Sequence, residues 1–350
     1  MKIILKRLLT VVVGFILLMT CIIHLTYMVR DYTRLFGFYD LDKNSVDVVF
    51  VGTSVTFSSF MPMEAWKEYG IVAYDYCTNV QYENSLRYSL ADIERTQSPE
   101  LIMVDITPFL YAHYAGNETW NDDYYELFTK CNLDSRKYTL DRFALVYEIN
   151  KDLHGSVVDY LYYYFDIARY HTNNISFDHI DNAEKDINRG YGYLDHNGGD
   201  KFAIEDLITD DGHKVELSER EQYYLDKLLI KAAEMDSNIV FYCPPIYFKD
   251  PDAFGKKNYL KDYIADQGFT FADFSGYTEK IGLDPKTDLW SYDHFDALGA
   301  QKVTRLLSEY IKDNYNIPDR RNDAEFDYMN DDYVEWEALL EEYQETDRSK

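Results

Sequence analysis

The strongest constraint on the fold is a short apolar segment that ends in Gly-Thr-Ser. Residues 46–51 run Val-Asp-Val-Val-Phe-Val, and Gly52, Thr53 and Ser54 follow directly. A nearly continuous run of β-branched residues is typical of a strand covered on both faces, as in a parallel sheet. Ligands of open α/β sheets bind beyond the carboxyl ends of such strands. We therefore predict a central strand here and treat Ser54 as a candidate nucleophile.

Strand and helix patterns alternate before and after a long middle stretch. The predicted strands are residues 46–51, 71–76, 101–106, 238–243 and 268–273, and the predicted helices are 62–70, 82–96, 218–235, 259–266 and 297–315. Such alternation predicts right-handed βαβ crossovers. The expected fold class is α/β: a three-layer sandwich around a five-stranded parallel sheet of flavodoxin-like order 2-1-3-4-5, within a domain of residues 46–317.

The alternation stops at residues 111–211. Helical patterns rich in tyrosine occupy residues 143–150 and 157–171, and a Gly-rich piece follows at 189–193. One interpretation is an insertion that caps the ligand edge of the sheet. An ordinary helical layer with tyrosines in its core fits the pattern equally well.

The amino terminus carries a predicted membrane span. Residues 8–29 form an apolar run long enough to cross a bilayer, without the small-residue cleavage site of a secretory signal. Lys2, Lys6 and Arg7 precede it, so residues 1–7 are expected to be cytoplasmic and the main domain extracellular. Residues 30–45 are predicted to be a polar, aromatic linker.

The carboxyl terminus, residues 318–350, is strongly acidic. Tyr333, Trp336, Leu340 and Tyr343 nevertheless recur at helical spacing. This pattern predicts an amphipathic helix that docks on another surface. A membrane acyltransferase is one hypothetical partner for it.

The overall charge and the pattern of cysteines and histidines exclude several kinds of site. A formal net charge of −27 disfavours nucleic acid and anionic lipid headgroups as partners. There is no Cys-x-x-Cys pair, and no ligand spacing relates the histidines of the middle stretch, so no metal site is predicted. These histidines are His113, His171, His179 and His196. The Gly-Thr-Ser segment also lacks the lysine of a phosphate-binding loop, and no cofactor is expected.

A late histidine gives Ser54 a potential base. His294 lies in a predicted loop directly before the last helix. In a sheet of this order the loops after the strands share one edge, so the His294 loop can reach Ser54. A serine becomes nucleophilic beside a neutral imidazole, which itself needs a carboxylate or carbonyl to hold its tautomer. The alternative is that Ser54 only caps the next helix.

The chain resembles the SGNH (GDSL-like) hydrolases. The resemblance depends on Gly52-Thr53-Ser54 after the first strand and on His294 followed by a helix containing Gly299 and Ala300. It covers residues 46–109 and 238–310, and is greatest to a membrane-anchored branch on Gram-positive surfaces that includes an accessory protein of teichoic-acid D-alanylation. The resemblance implies serine ester chemistry, with Ser54 and His294 as the catalytic pair.

Two positions depart from the pattern of that family. Where it carries Asp three residues before the histidine, this chain has Ser291, so Asp293, Asp288 or a backbone carbonyl remains to orient His294. The Gly-x-Asn-Asp block is also absent after the third strand, where Asp105 and Thr107 stand. Asp105 is expected to hydrogen-bond a loop or to act directly.

The missing block leaves few candidate donors for an oxyanion. The backbone N–H groups at Ser54 and near Thr78, with Asn79 or Gln81, are the predicted set. With them, the expected function is a membrane-anchored esterase or O-acyltransferase. Its expected substrates are acetyl or D-alanyl esters of a cell-surface glycan or teichoic-acid-like polymer. The alternative function is a non-catalytic, membrane-tethered glycan-binding or assembly module.

Overall fold

The computed structural model describes residues 2–27, 34–111, 122–153, 155–170, 186–195, 207–208 and 211–348. Within them, a five-stranded sheet has the order β2-β1-β3-β4-β5, with all neighbouring strands parallel. The strands are β1 Val48–Gly52, β2 Ala73–Cys77, β3 Leu101–Asp105, β4 Asn238–Cys243 and β5 Thr270–Asp273. The predicted fold class and strand order are confirmed.

Helices cover both faces of the sheet. The helices are α1 Lys2–Tyr27, α2 Phe36–Asp40, α3 Ser54–Ser59, α4 Pro62–Tyr69, α5 Leu86–Thr96, α6 Thr107–Leu110, α7 Asp122–Leu133, α8 Leu140–Asp152, α9 Val157–Tyr164, α10 Ile167–Tyr170, α11 Glu219–Ala233, α12 Pro251–Asp266, α13 Ala297–Asn314 and α14 Tyr328–Arg348. α5 packs with α11, whereas α3 and α4 pack with α13. Every residue of β1 is buried, as its continuous apolar sequence requires.

Helix caps explain where several helices begin. Ser218 and Glu221 form the predicted capping box at the start of α11. α12 begins eight residues earlier than predicted, because the Asp250 side chain accepts the N–H of Asp252 and Pro251 fits the first helical position. The predicted helix 82–96 instead starts with the 3₁₀ turn Glu83–Ser85.

The insertion builds a small core of its own beside α5. Its described helices are α7–α10, and α8 packs on α5. The buried side chains of this second core are Tyr82, Tyr88, Leu133, Leu145, Val146 and Ile149. The described helices form a helical layer beside α5, and the interpretation that the insertion caps the ligand edge of the sheet stays a prediction. Residues 112–121, 154, 171–185, 196–206 and 209–210 lie outside them.

Residues 186–195 cover the outer edge of β2. The N–H of Asp75 donates to Arg189 O at 2.9 Å, and the N–H of Gly192 donates to Phe57 O in α3 at 2.8 Å. This contact protects an edge strand and brings the insertion beside the residues that follow β1.

The predicted linker is only partly a linker. Its described portion, residues 34–45, contains α2, and Phe38 is fully buried against Tyr74 and Tyr76 of β2. α1 is long and apolar enough to cross a membrane. The last two residues of the predicted span, 28 and 29, lie outside the described part of the chain, as do linker residues 30–33.

The carboxyl-terminal helix packs on the protein's own domain. α14 lies against α4, with Trp336 2% exposed and the Lys67 ammonium over the Tyr333 ring. Tyr343 stacks on Tyr193 at 4.9 Å between ring centroids. The predicted amphipathic helix is present, and its apolar face is covered intramolecularly.

Candidate active site

Ser54 stands at the junction between β1 and α3. Thr53 caps α3 by accepting the N–H of Val55, and Ser54 is the first helical residue. Gly52 is required by close packing: a Cβ there would lie 2.4 Å from Thr56 Oγ1 and 2.6 Å from Asp105 Cβ. The tight turn leaves the Ser54 side chain half-buried at the carboxyl edge of the sheet.

His294 is held by a closed loop between β5 and α13. The N–H groups of Trp290 and Ser291 both donate to His294 O, at 3.0 and 3.3 Å. Asp296 ends the loop by accepting the N–H groups of Leu298 and Gly299, which caps α13. Since α13 packs on α3, the helix that follows His294 also supports the helix that begins at Ser54.

The two side chains meet in hydrogen-bonding geometry. Ser54 Oγ lies 2.7 Å from His294 Nε2, although 240 residues separate them in sequence. On the other side of the ring, His294 Nδ1 lies 2.8 Å from Asp293 Oδ1. A carboxylate at Nδ1 holds the neutral imidazole in the tautomer whose Nε2 accepts the serine proton. His294 is 19% exposed and Asp293 10% exposed, so the chain of contacts is largely shielded from water.

Of the two candidate acids, Asp293 contacts the imidazole. Asp288 is instead committed to the Lys302 ammonium at 2.6 Å and to the N–H of Asp284 at 2.7 Å. Ser291 contacts both residues: its hydroxyl donates to Asp293 Oδ1 at 2.6 Å, with Oγ 3.2 Å from His294 Nδ1. A carboxylate one residue before the histidine thus reaches the ring nitrogen that faces away from Ser54.

The predicted oxyanion donors do not all converge on Ser54. The Thr78 N–H is committed to Gly52 O at 3.2 Å, and the buried Gln81 amide donates to Ser89 Oγ at 2.7 Å. These two groups are therefore already hydrogen-bonded within the protein, and their role as oxyanion donors stays a prediction. The Ser54 N–H has no intrahelical acceptor, since it belongs to the first turn of α3. Asn79 lies half-buried in the turn after β2, the strand next to β1.

Asp105 lies beneath the Ser54 turn and does not contact Ser54 or His294 in the structure. It accepts hydrogen bonds from Thr56 Oγ1 at 2.9 Å, Thr107 N at 2.8 Å and Thr107 Oγ1 at 2.5 Å. Burial raises the pKa of Asp105 to about 6, against the lowering effect of hydrogen bonds from Thr107, Thr56 and the Thr53 backbone. Asp105 thus ties the first turn of α3 to the end of β3, as the loop-bonding interpretation expects.

Two tyrosines stand beside Asp293. Burial, followed by the Asp293 charge, raises the pKa of both Tyr111 and Tyr292, so both phenols stay protonated at neutral pH. Both side chains are half-buried. They supply aromatic surface beside Asp293, and the Tyr111 hydroxyl itself is buried.

Two supporting residues escaped the sequence analysis as site components. Thr56 was not predicted to hold Asp105, because a hydroxyl contact across 49 residues leaves no local pattern. Ser291 was not predicted to hold Asp293, although only two positions separate the two residues. The Asp105-x-Thr107 spacing did carry a signal, since an aspartate that accepts the N–H two residues later is a common turn motif. His113, His171, His179 and His196, for which no ligand spacing was found, lie outside the described residues.

No family model, no curated protein and no solved structure matches this chain.

Proposed function

We propose that this chain is a membrane-anchored, extracytoplasmic serine esterase or O-acyltransferase of the SGNH type. The supporting observation is the Asp293–His294–Ser54 hydrogen-bonded chain, 2.8 and 2.7 Å in its two links. Its amino-terminal helix would anchor the protein, with Lys2, Lys6 and Arg7 on the cytoplasmic side. The proposed substrates are acetyl or D-alanyl esters of a surface glycan or teichoic-acid-like polymer.

Proton transfer accompanies each half of the proposed reaction. Ser54 Oγ bonds to the ester carbonyl carbon while its proton passes to His294 Nε2. The tetrahedral oxyanion faces the Ser54 N–H and Asn79. The carbon–oxygen bond to the leaving hydroxyl then breaks, and Nε2 returns the proton to that oxygen. An acyl-Ser54 ester remains.

A second hydroxyl releases the acyl group. His294 takes the proton of the incoming hydroxyl, its oxygen bonds to the acyl carbon, and Ser54 leaves with the proton from Nε2. Water as the acceptor gives hydrolysis, and a sugar hydroxyl gives transfer. Water exclusion at the half-buried pair and the half-buried Tyr292 favour a polymer hydroxyl as the acceptor.

A fluorophosphonate probe tests the nucleophile. We expect the full-length protein in detergent to be labelled and Ser54→Ala to abolish labelling, because the probe captures an activated serine. Ser58→Ala is a matched control: Ser58 lies in the same helix, buried, with its hydroxyl donating to Val55 O. Absence of labelling in both the wild type and the control would overturn the proposal.

Specific features also support the alternative of a non-catalytic glycan-binding module. Thr107 replaces part of the family's Asn block, and its buried hydroxyl is committed to Asp105 and lies 3.1 Å from Thr53 Oγ1. The Thr78 N–H is likewise committed to Gly52. Equal glycan binding by wild type and Ser54→Ala, without ester turnover by either, would favour this alternative.

A further inference from the structure

α9 is an apolar helix that buries none of its eight side chains. The exposed apolar residues on and just beyond this helix are Val157 at 77%, Val158 at 60%, Leu161 at 52%, Tyr162 at 44% and Phe165 at 39%. Their spacing places them along one side of the helix. A contiguous exposed apolar surface of this kind marks an interaction site rather than ordinary solvated surface.

The predicted membrane span packs on α10, the helix that follows this surface in the chain. α10, which follows α9 after two residues, contacts α1. Residues 2–18 of α1 are exposed, whereas Met19, Ile22 and Ile23 are partly covered and Thr26 is 1% exposed. These four residues form one stripe over the last two turns of the helix. The insertion therefore lies against the end of α1 distant from Lys2, Lys6 and Arg7.

The depth of that contact follows from helix geometry. Starting at Leu8, about 20 residues at 1.5 Å each cross a hydrocarbon core of about 30 Å and end near Tyr27. The stripe from Met19 to Thr26 thus occupies about 10 Å of the outer part of the span. The residues that cover this stripe lie at the same depth in the membrane. Helices that lie within a membrane interface occupy this depth.

Two arginines near this surface pair with carboxylates inside the protein. Arg142 makes a two-point contact with Asp166 at 2.8 and 2.9 Å, and Arg169 pairs with both Asp134 and Asp166. The exposed Asp159 carboxylate accepts the N–H and hydroxyl of Ser156 in a capping box. The internal pairing of the two arginines suits a surface that faces little water, whereas Asp159 remains an exposed carboxylate in the first turn of α9.

We propose that the α9 surface, meaning Val157, Val158, Leu161, Tyr162 and Phe165, inserts into the outer leaflet beside α1 and holds the domain against the membrane. The contact of α10 with the span favours lipid over a protein partner. Tyrosine is enriched at the headgroup level, and phenylalanine and leucine are typical of the buried face of interfacial helices. The inference depends on the proposed placement of α1 in a membrane. It does not depend on the chemistry of Ser54.

Lipid quenching of site-specific labels tests the inference. An environment-sensitive fluorophore would be attached to Val158→Cys or Leu161→Cys in a Cys21→Ser background, using full-length protein in phosphatidylcholine vesicles. The remaining cysteines are buried, and the background protein measures their labelling. Val334→Cys is the matched control, an exposed valine on α14. We expect doxyl-lipid quenching about twofold or more greater at 158 and 161 than at 334.

A label on native Cys21, inside the span, tests the membrane anchor separately from the α9 surface. Quenching of Cys21 by lipid, with labels at 158 and 161 behaving like 334, would overturn the α9 surface and leave the anchor intact. That outcome would point to a protein partner for this surface. Absence of lipid quenching at Cys21 would overturn both the anchor and the inference, while fluorophosphonate labelling of Ser54 in the same vesicles would still report on the enzyme.

Discussion

At the scale of single residues, the orientation of His294 depends on Asp293 and Ser291 together. Replacing Asp293 by Asn removes the carboxylate that fixes the tautomer at Nδ1, which is 2.8 Å away. We expect Asp293→Asn to slow fluorophosphonate labelling of Ser54 by about 10²–10⁴-fold, the range of a lost acid–base contribution. The labelling rate is measured by stopping the reaction at successive times and quantifying the labelled protein by fluorescence in a gel.

A second variant distinguishes the loss of the carboxylate charge from damage to the structure of the site. Ser291→Asp in the Asp293→Asn background places a carboxylate at the position three residues before the histidine, where Ser291 Oγ already lies 3.2 Å from Nδ1. It should recover part of the lost rate. Asp288→Asn is the control carboxylate, since Asp288 pairs with Lys302 and should leave labelling of the folded protein unchanged. A rate for Asp293→Asn equal to wild type would contradict the triad.

Asp105 gives a prediction about stability and pH. Its pKa is raised from 3.8 unfolded to about 6 folded, chiefly by burial. The folded state therefore binds the proton more tightly between these values, and this residue's contribution to the free energy of unfolding rises as pH falls from 7 toward 4. At pH 7 the buried charge costs about 3 kcal/mol relative to the protonated form, at about 1.4 kcal/mol per pKa unit.

Urea unfolding of the full chain in detergent measures this contribution. Protonation of Asp105 should raise the free energy of unfolding of the wild type as pH falls from 6.5 to 4.5. We expect Asp105→Asn, which cannot titrate, to lose most of this increase. Asp273→Asn is the matched control: although burial opposes it, hydrogen bonds from Ser275 and the Lys257 charge lower the pKa of Asp273, so it titrates below that window. Identical pH profiles for wild type and Asp105→Asn would contradict the assignment.

At the scale of elements, the carboxyl-terminal helix α14 is part of the folded domain. Trp336 is 2% exposed against α4, whereas Val334 on the same helix is 67% exposed. Trp336→Ala should lower the free energy of unfolding by about 3–5 kcal/mol, the usual cost of removing a buried tryptophan. Val334→Ala should change it by no more than about 0.5 kcal/mol. Urea unfolding of both variants in detergent gives the comparison.

The stabilities of Trp336→Ala and Val334→Ala also test the hypothesis that α14 docks on a membrane acyltransferase. If both variants unfold like wild type, the packing of α14 on α4 contributes nothing, and its apolar face is free for a partner. A selective loss of stability in Trp336→Ala instead restricts any partner to the outer face of α14. Deletion after Pro318 would then disturb the domain itself, so loss of co-purification in that variant would not identify a docking site.

The sequence predicts elements far better than the contacts between them. β1 was recognisable because a strand buried on both faces must be apolar throughout, and the order of the sheet followed from βαβ alternation. Ser54 and His294 were predictable because parallel strands end at one edge. The packing of α14 on α4 was not, since helical periodicity shows that a face is apolar without identifying what covers it. The hydrogen bond from the Thr78 N–H to Gly52 was not predictable either, because it extends the ladder between β1 and β2 by one residue beyond β2.

At the scale of the whole molecule, the charge of −27 bears on which acyl group the site favours. A D-alanyl ester carries an ammonium group and an acetyl ester does not, so the field of an acidic protein attracts the former. Screening weakens such a field, because the Debye length falls from about 30 Å at 0.01 M salt to about 10 Å at 0.1 M. The preference for a cationic acyl group should therefore depend on ionic strength.

Alanyl and propionyl nitrophenyl esters provide a matched pair, because they differ only in the amino group. We expect kcat/KM for the alanyl ester to fall by about threefold or more between 0.01 and 0.3 M salt, a modest case of electrostatic steering, while that for the propionyl ester stays nearly constant. Ser54→Ala supplies the background rate for each ester. If the ratio of the two kcat/KM values is the same at both salt concentrations, the acidic surface does not act at the site, and substrate choice must come from contacts with residues such as Tyr111 and Tyr292. A ratio that falls with salt would instead favour D-alanyl over acetyl transfer, since the attraction acts on the ammonium group alone.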